Sequence, residues 1–270
     1  MALYLNGTKI DLTKRFPDGT LAFKLDPAIF MHRDKASVVK WHYEDESEIM
    51  ALWHIRARLA ESNVNVRLEM FYVPNARMDR SRNADDVFTL KYFCDLINLM
   101  QFENVAILDP HSSVTPALLH RCTVCPPERM IWTAIQDIAD PDLALFYPDE
   151  GSMKRYACLI KKPFGFGIKN RDWNTGKILG LQVVGAESLK GRNILIVDDI
   201  CSRGGTFFHS AKALKDAGVN DIYLYVTHCE NTIFEGELLK SDLLKHIYTT
   251  NSIFNGEHDK ITVLKLKGGE

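Results

Sequence analysis

Between residues 198 and 206 the chain reads Asp198-Asp199-Ile200-Cys201-Ser202-Arg203-Gly204-Gly205-Thr206, directly after the apolar run Asn193-Ile194-Leu195-Ile196-Val197. The paired glycines let the backbone turn its N–H groups inward. Ser202 and Thr206 add hydroxyl donors, and a helix opening at Thr206 adds partial positive charge. Together these groups suit a phosphate monoester. Two carboxylates would repel a bare phosphate, but beside one they suit sugar hydroxyls or a magnesium ion held through water. A phosphorylated sugar carries both features. A plainer reading, a strand end and a helix cap around a tight turn, explains the acids and the glycines separately but not their order.

Other segments have the residue types to complete such a site. Asp109 and His111 lie one residue apart behind the apolar run 104–108, where a carboxylate and an imidazole can face one space and hold magnesium directly or through water. The glycine-studded stretch 165–177 reads as a flap or hairpin. Its Lys169 and Arg171, two apart, project to one face of an extended strand and can close over phosphates as negative charge develops. Lys161 and Lys162 are a rival placement without the following Asp and Thr-Gly-Lys. Cys122-Thr123-Val124-Cys125 has redox or metal-site spacing but lacks the second ligand pair that zinc needs.

The elements that must position these residues repeat as strand followed by helix. Apolar runs at 67–73, 104–108, 143–147, 193–197 and 222–226 read as buried strands. Helical spacing of apolar residues runs over 88–100, 131–138 and 206–217, with Asp85 or Asp86 as a cap for the first and Gly218 stopping the last. This alternation predicts an α/β fold with parallel sheets covered on both faces and ligands at the carboxyl ends of the strands. Short strands at 3–5, 21–25 and 37–42, around the turn Phe16-Pro17-Asp18-Gly19, predict a mixed sheet edge. A domain boundary is expected near residue 138, giving domains 1–138 and 139–270.

Composition supports this frame. In 270 residues, a hydrophobic content of 46% supplies a large core, and 33 basic against 35 acidic side chains leave a net charge of -2. There is thus no basic excess to serve a nucleic-acid or membrane surface. The absence of a leader or an 18-residue apolar run, and cysteines set in apolar segments, predict a cytoplasmic protein with reduced thiols.

The 198–206 segment resembles the phosphoribosyl diphosphate signature shared by type I phosphoribosyltransferases and ribose-phosphate diphosphokinases. The residues Tyr72-Val73-Pro74-Asn75-Ala76-Arg77-Met78-Asp79-Arg80, Thr89-Leu90-Lys91 and Leu108-Asp109-Pro110-His111-Ser112 resemble successive landmarks of the diphosphokinases alone. Phe16-Pro17-Asp18-Gly19, Pro148-Asp149-Glu150-Gly151 and Thr227-His228 extend the resemblance over nearly the whole chain.

The resemblance implies two phosphoribosyltransferase-like domains, an N-terminal one on the ATP side and a C-terminal one on the ribose 5-phosphate side. It implies transfer of the β,γ-diphosphoryl group of ATP to the sugar 1-hydroxyl with Mg2+, in a homo-oligomer. Carried over residue by residue, Lys169 and Arg171 become catalytic. Asp198, Asp199, Ser202, Arg203, Gly204, Gly205 and Thr206 bind ribose 5-phosphate. Phe16, Asp18, Arg77, Asp79 and His111 bind ATP, with Phe16 and Asp18 reaching a neighbouring subunit's site, and Asp109, His111 and Asp149 serve the metal. Thr20, Met78 and Ser202-Arg203 depart from the family's usual residues. A non-catalytic regulatory homologue and a transferase that consumes phosphoribosyl diphosphate are the rival expectations.

Overall fold

The computed structural model describes residues 2–31, 36–171 and 178–266, which fall into two compact units divided in sequence between Pro126 and Pro127. In the first, β1 (Ala2–Leu5), β2 (Thr8–Lys9), β3 (Ser37–His42), β4 (Val66–Met70), β5 (Asn104–Leu108) and β6 (Cys122–Cys125) form one sheet, ordered β2-β1-β3-β4-β5-β6. From β3 to β6 all pairings are parallel, while β1 runs antiparallel to both β2 and β3. The expected mixed edge is therefore present. Helices α1 (Glu48–Glu61) and α2 (Thr89–Leu99) connect β3 to β4 and β4 to β5, and the short α3 (Val114–Leu118) precedes β6. Leu52, Ile55 and Leu59 of α1 and Leu90, Phe93 and Ile97 of α2 share a core with Val39, Trp41, Leu68 and Ile107 of the strands. Each such side chain contributes roughly 1.5–3 kcal/mol on burial.

The structure departs from two local expectations. No strand forms at 21–25; a single antiparallel bridge, Arg15 to Leu21, closes the turn, and Leu21, Phe23 and Leu25 pack on the core as irregular chain. Neither Asp85 nor Asp86 caps α2, because the Asp86 carboxylate instead accepts the backbone N–H groups of Arg82 and Asn83. Helix α1 follows Ser47, whose side chain makes no capping bond. Glu48 in its first turn is buried, accepting from the Trp41 indole at 2.8 Å and from the Glu44 N–H at 2.9 Å.

The second unit contains α4 (Glu128–Ile138), β7 (Ala144–Tyr147), α5 (Glu150–Tyr156), β8 (Phe164–Arg171), β9 (Ile178–Val184), α6 (Ala186–Leu189), β10 (Ile194–Cys201), α7 (Gly205–Asp216), β11 (Ile222–Cys229), β12 (His246–Thr250) and β13 (Ile261–Leu264). Its sheet is ordered β13-β12-β11-β10-β7-β8-β9, parallel except for the β8–β9 hairpin. Along β10, Ile194 and Ile196 enter one core and Leu195 and Val197 another, which explains why this strand is apolar at successive positions. The expected boundary at 138 falls at the end of α4. Ile131, Ala134 and Ile135 of that helix pack with Leu143 and Leu145, so α4 belongs with the second sheet. No helix of the described residues is long and apolar enough to cross a membrane.

Candidate functional site

The clearest site is built at the carboxyl end of β10. This strand runs on through Cys201, so Asp198 and Asp199 are its last polar positions rather than part of the following turn. Ser202 and Arg203 make the turn, Gly204 caps α7 with φ +78°, and Gly205 and Thr206 open the helix. A left-handed residue is needed at Gly204, and a Cβ there would also come within 2.7 Å of Leu238 Cδ2. Behind the turn, Gly236 lies so close to the Arg203 carbonyl that a Cβ would sit 1.9 Å from its oxygen. Ser202 Oγ and Thr232 Oγ1 are 3.0 Å apart, and Thr232 donates in turn to Glu230 at 3.1 Å. The cradle is thus held from the rear by residues 230–238, a brace the sequence reading did not find.

The carboxylates have distinct surroundings. Asp199 is buried and ion-paired with Arg155 at 3.1 Å, while Asp198 is partly exposed and accepts the Asp199 N–H at 3.0 Å. Although part of the residue reaches solvent, the Asp198 carboxyl is packed among protein atoms, and that burial first, then the neighbouring Asp199 and Asp149 carboxylates, push its pKa well above the usual carboxylate range. Asp149 caps α5 from the end of β7, its carboxylate accepting the Ser152 N–H at 3.0 Å. Gly151 leaves that carboxylate room, since a Cβ would stand 3.3 Å from Asp149 Oδ1. The structure therefore brings Asp149, Asp198 and Asp199 together and sets Arg155 against them. Arg155 was missed because nothing in 150–156 marks one cation of the helix as inward-facing. Its guanidinium also lies over the Tyr156 ring, 5.2 Å from the centroid.

Arg203 faces elsewhere. Its guanidinium donates to Glu235 at 2.9 and 3.2 Å on the exposed surface, a partner distant in sequence. Lys169 and Arg171 lie on β8 in the β8–β9 hairpin, paired in register with Leu181 and Ile178, with a register shift between Asn170 and Arg171. Shifts of this kind re-aim a strand and are common beside active sites. Residues 172–177, which complete the expected flap, lie outside the described residues.

In the first unit, the loops after β4 and β5 converge. Asp79 is buried and receives Arg80 through two bonds, at 2.8 and 3.1 Å. The Arg80 bonds foremost, then Ser112 and the charge of His111, hold its carboxyl below the usual range. Asp109 is almost fully buried, with a left-handed φ of 41°, and its N–H donates to the Cys125 carbonyl at 3.0 Å. A non-glycine residue in that region stores strain and tends to mark function. His111 is partly exposed and Arg77 exposed. Phe16 is 58% exposed on the rim of an open cavity of about 910 Å3 that Phe23, Phe30, Lys14 and Arg58 also line. The Asp18 carboxylate is occupied by the Thr20 N–H and hydroxyl, at 3.0 and 2.7 Å. Cys122 and Cys125 occupy the edge strand β6, and burial pushes their thiols up, Cys122 to about 11, which makes them poor metal or redox groups. Among the described residues no three of His, Cys, Asp and Glu form a ready metal cluster.

No family model matches the chain. It is 25% identical over 257 residues to a ribose-phosphate pyrophosphokinase of Staphylococcus saprophyticus, covering 89% of this chain and 76% of that one. It is 27% identical over 223 residues to one of Caldanaerobacter subterraneus, covering 78% and 66%. In structure it is similar to the phosphoribosylpyrophosphate synthetase of Mycobacterium smegmatis, with a TM-score of 0.76 and 18% identity over 93% of this chain and 84% of that one. Along nearly its whole length, then, the chain resembles ribose-phosphate pyrophosphokinases in sequence, and its two sheets have the fold of a phosphoribosylpyrophosphate synthetase.

Proposed function

We propose that the chain is a ribose-phosphate diphosphokinase of the cytoplasm. It moves the β,γ-diphosphoryl group of ATP to the 1-hydroxyl of ribose 5-phosphate, giving phosphoribosyl diphosphate and AMP. The cradle supports phosphoribose chemistry in general, and the observation that carries the diphosphokinase reading is the likeness to ribose-phosphate pyrophosphokinases over 89% of the chain, first unit included.

The 5-phosphate is held by the Ser202–Thr206 backbone, the hydroxyls of Ser202 and Thr206 and the positive end of α7. Arg203 adds positive charge to the phosphate only on leaving Glu235, because that ion pair cancels its charge at a distance. Asp199, fixed by Arg155, and the more open Asp198 accept the ribose hydroxyls. The 1-hydroxyl oxygen then forms a bond to the β-phosphorus as the bond from that phosphorus to the α–β bridging oxygen breaks, and AMP departs. Such a transfer rests on positioning and charge neutralisation, which Lys169 and Arg171 provide from the β8–β9 hairpin. Phe16, Asp18, Arg77 and Asp79 serve ATP, the first two from a neighbouring copy.

The Asp149 and Asp198 carboxylates beside the cradle are oxygen donors that suit a divalent cation, which would oppose the burial and like charge that raise the Asp198 pKa. Oxygen donors few in number suit magnesium, which keeps several waters and binds substrate phosphates. Asp149 would hold one such ion on the sugar side, and His111, with the buried Asp109 behind, would hold one on the nucleotide side. Bound there, it would neutralise charge on the transferring phosphates.

The test is product identity. With Mg2+, ATP and ribose 5-phosphate, AMP and phosphoribosyl diphosphate form in equal amounts; ADP in place of AMP overturns the proposal. ATP binding without any product would point to the regulatory homologue, and consumption of phosphoribosyl diphosphate only with a base to the transferase.

A further inference from the structure

Ser202 and Arg203, the two cradle residues that depart from the family's usual residues, are both held by one segment, Glu230 and the helical turn Asn231–Glu235 that follows β11. Thr232 Oγ1 donates its single proton to Glu230 at 3.1 Å, so across the 3.0 Å contact with Ser202 it is the serine that donates. Arg203 directs Nε and Nη2 at the Glu235 carboxylate, at 3.2 and 2.9 Å. Both side chains of the turn therefore give their protons to acceptors of the chain itself, one of them a carboxylate with the charge sign of a phosphate.

The backbone beneath these side chains is wedged in place. A Cβ on Gly236 would stand 1.9 Å from the Arg203 carbonyl oxygen, and one on Gly204 would stand 2.7 Å from Leu238 Cδ2. Arg203 thus changes partner by rotating its side chain, without a shift of the turn. The pair it leaves is a weak one. The Arg203 and Glu235 side chains are 71% and 57% exposed, and an ion pair so open to water moves an equilibrium by about fivefold or less. A guanidinium on a phosphate dianion makes charge-assisted bonds in a planar fork, roughly twice as strong as neutral ones. The dianion wins this exchange, and its affinity is lowered by what the Glu235 pair was worth.

We infer that Glu235 is a positioning residue that competes with the sugar phosphate for the Arg203 guanidinium and so sets the affinity of the cradle. Glu235 draws the guanidinium to the outer surface. A phosphomonoester in the cradle draws it back, and the Glu235 carboxylate passes to water. Ser202 turns its proton from Thr232 to the same phosphate, while Thr232 keeps its bond to Glu230. The inference rests on the reading of the cradle as a phosphate site.

Calorimetric titration of the full chain with ribose 5-phosphate tests it, with Mg2+ and the α,β-methylene analogue of ATP present so that no transfer occurs. Glu235→Gln tightens ribose 5-phosphate about threefold, a direction that loss of a merely structural ion pair would not give. Glu235→Ala repeats the effect, and circular dichroism confirms that both variants fold. Arg203→Ala weakens binding about fivefold or more. Added to Arg203→Ala, Glu235→Gln changes the dissociation constant by less than about 1.5-fold, because the group it released is gone. Unchanged or weaker binding in both Glu235 variants, or the full tightening with Arg203→Ala in place, would overturn the inference and leave the phosphate reading of the cradle standing. A parent chain that binds no ribose 5-phosphate would overturn both.

Discussion

The sugar-phosphate cradle and the nucleotide-side loops differ in how they are made. The cradle is one strand, one turn and one helix in unbroken sequence, braced from behind by Thr232, Gly236 and Leu238. On the nucleotide side, Asp79, Ser112 and His111 arrive on two separate loops, after β4 and after β5, and meet only through the fold. Local chain order therefore fixes the first geometry, whereas long-range packing fixes the second. Substitutions behind the cradle should act on sugar phosphate specifically, while those in the loops should spread over stability and nucleotide binding together.

The largest effect is expected where charge develops. Lys169→Ala should lower kcat at least about a hundredfold with smaller change in the KM for ribose 5-phosphate, read by steady-state kinetics. Equal loss in both parameters would move Lys169 from catalysis to binding.

Next comes the brace. Gly236→Ala forces a methyl toward the Arg203 carbonyl, so the turn must shift, at a cost of about 1–3 kcal/mol. The KM for ribose 5-phosphate should rise about tenfold while nucleotide affinity is unchanged, which calorimetry with each ligand separates. A uniform loss would erase the contrast between the two regions.

The carboxylate cluster gives a third, smaller effect of opposite sign. Asp198 has a raised folded-state pKa, so its contribution to stability is fully present below the unfolded value, near about 3.9, and is lost as pH rises through the folded pKa. At neutral pH without ligand, Asp198→Asn should raise Tm by a few degrees, roughly 1 kcal/mol, and abolish most activity. No gain in Tm would mean the three carboxylates do not strain one another.

Smallest is Arg80→Ala. Arg80 is 63% exposed, so the loss of its bond to Asp79 should leave the chemical-denaturation midpoint nearly unchanged.

The same contrast governs what the sequence discloses. Asp198 to Thr206 could be read directly, because a buried strand, acids, glycines and a helix fall in order within a few residues. Residues 74–80 have no such local logic and became legible only through family resemblance, while Asp109 and His111 showed a metal-pair spacing but nothing of the Asp79 and Ser112 beside them. Arg155 and Glu235 were hidden because an ordinary helical arginine and a loop glutamate give no sign of the carboxylate or guanidinium they will meet. Helix α1 went unread although Ser47-Glu48 has the residue types of a helix start; in the fold Ser47 makes no capping bond and Glu48 turns inward to Trp41. The 21–25 strand was expected from its alternating apolar residues, which instead pack on the core without a neighbouring strand beyond the Leu21 bridge.

In the proposed reaction two phosphoryl groups leave ATP as a unit for the sugar held in the cradle. Incubation of the full chain with ribose 5-phosphate, Mg2+ and ATP labelled with phosphorus-32 at either the α or the γ position tests it directly. The γ label should appear in phosphoribosyl diphosphate and the α label only in AMP. A γ label that appears in free phosphate or in a sugar bisphosphate, with the α label in ADP, would contradict it.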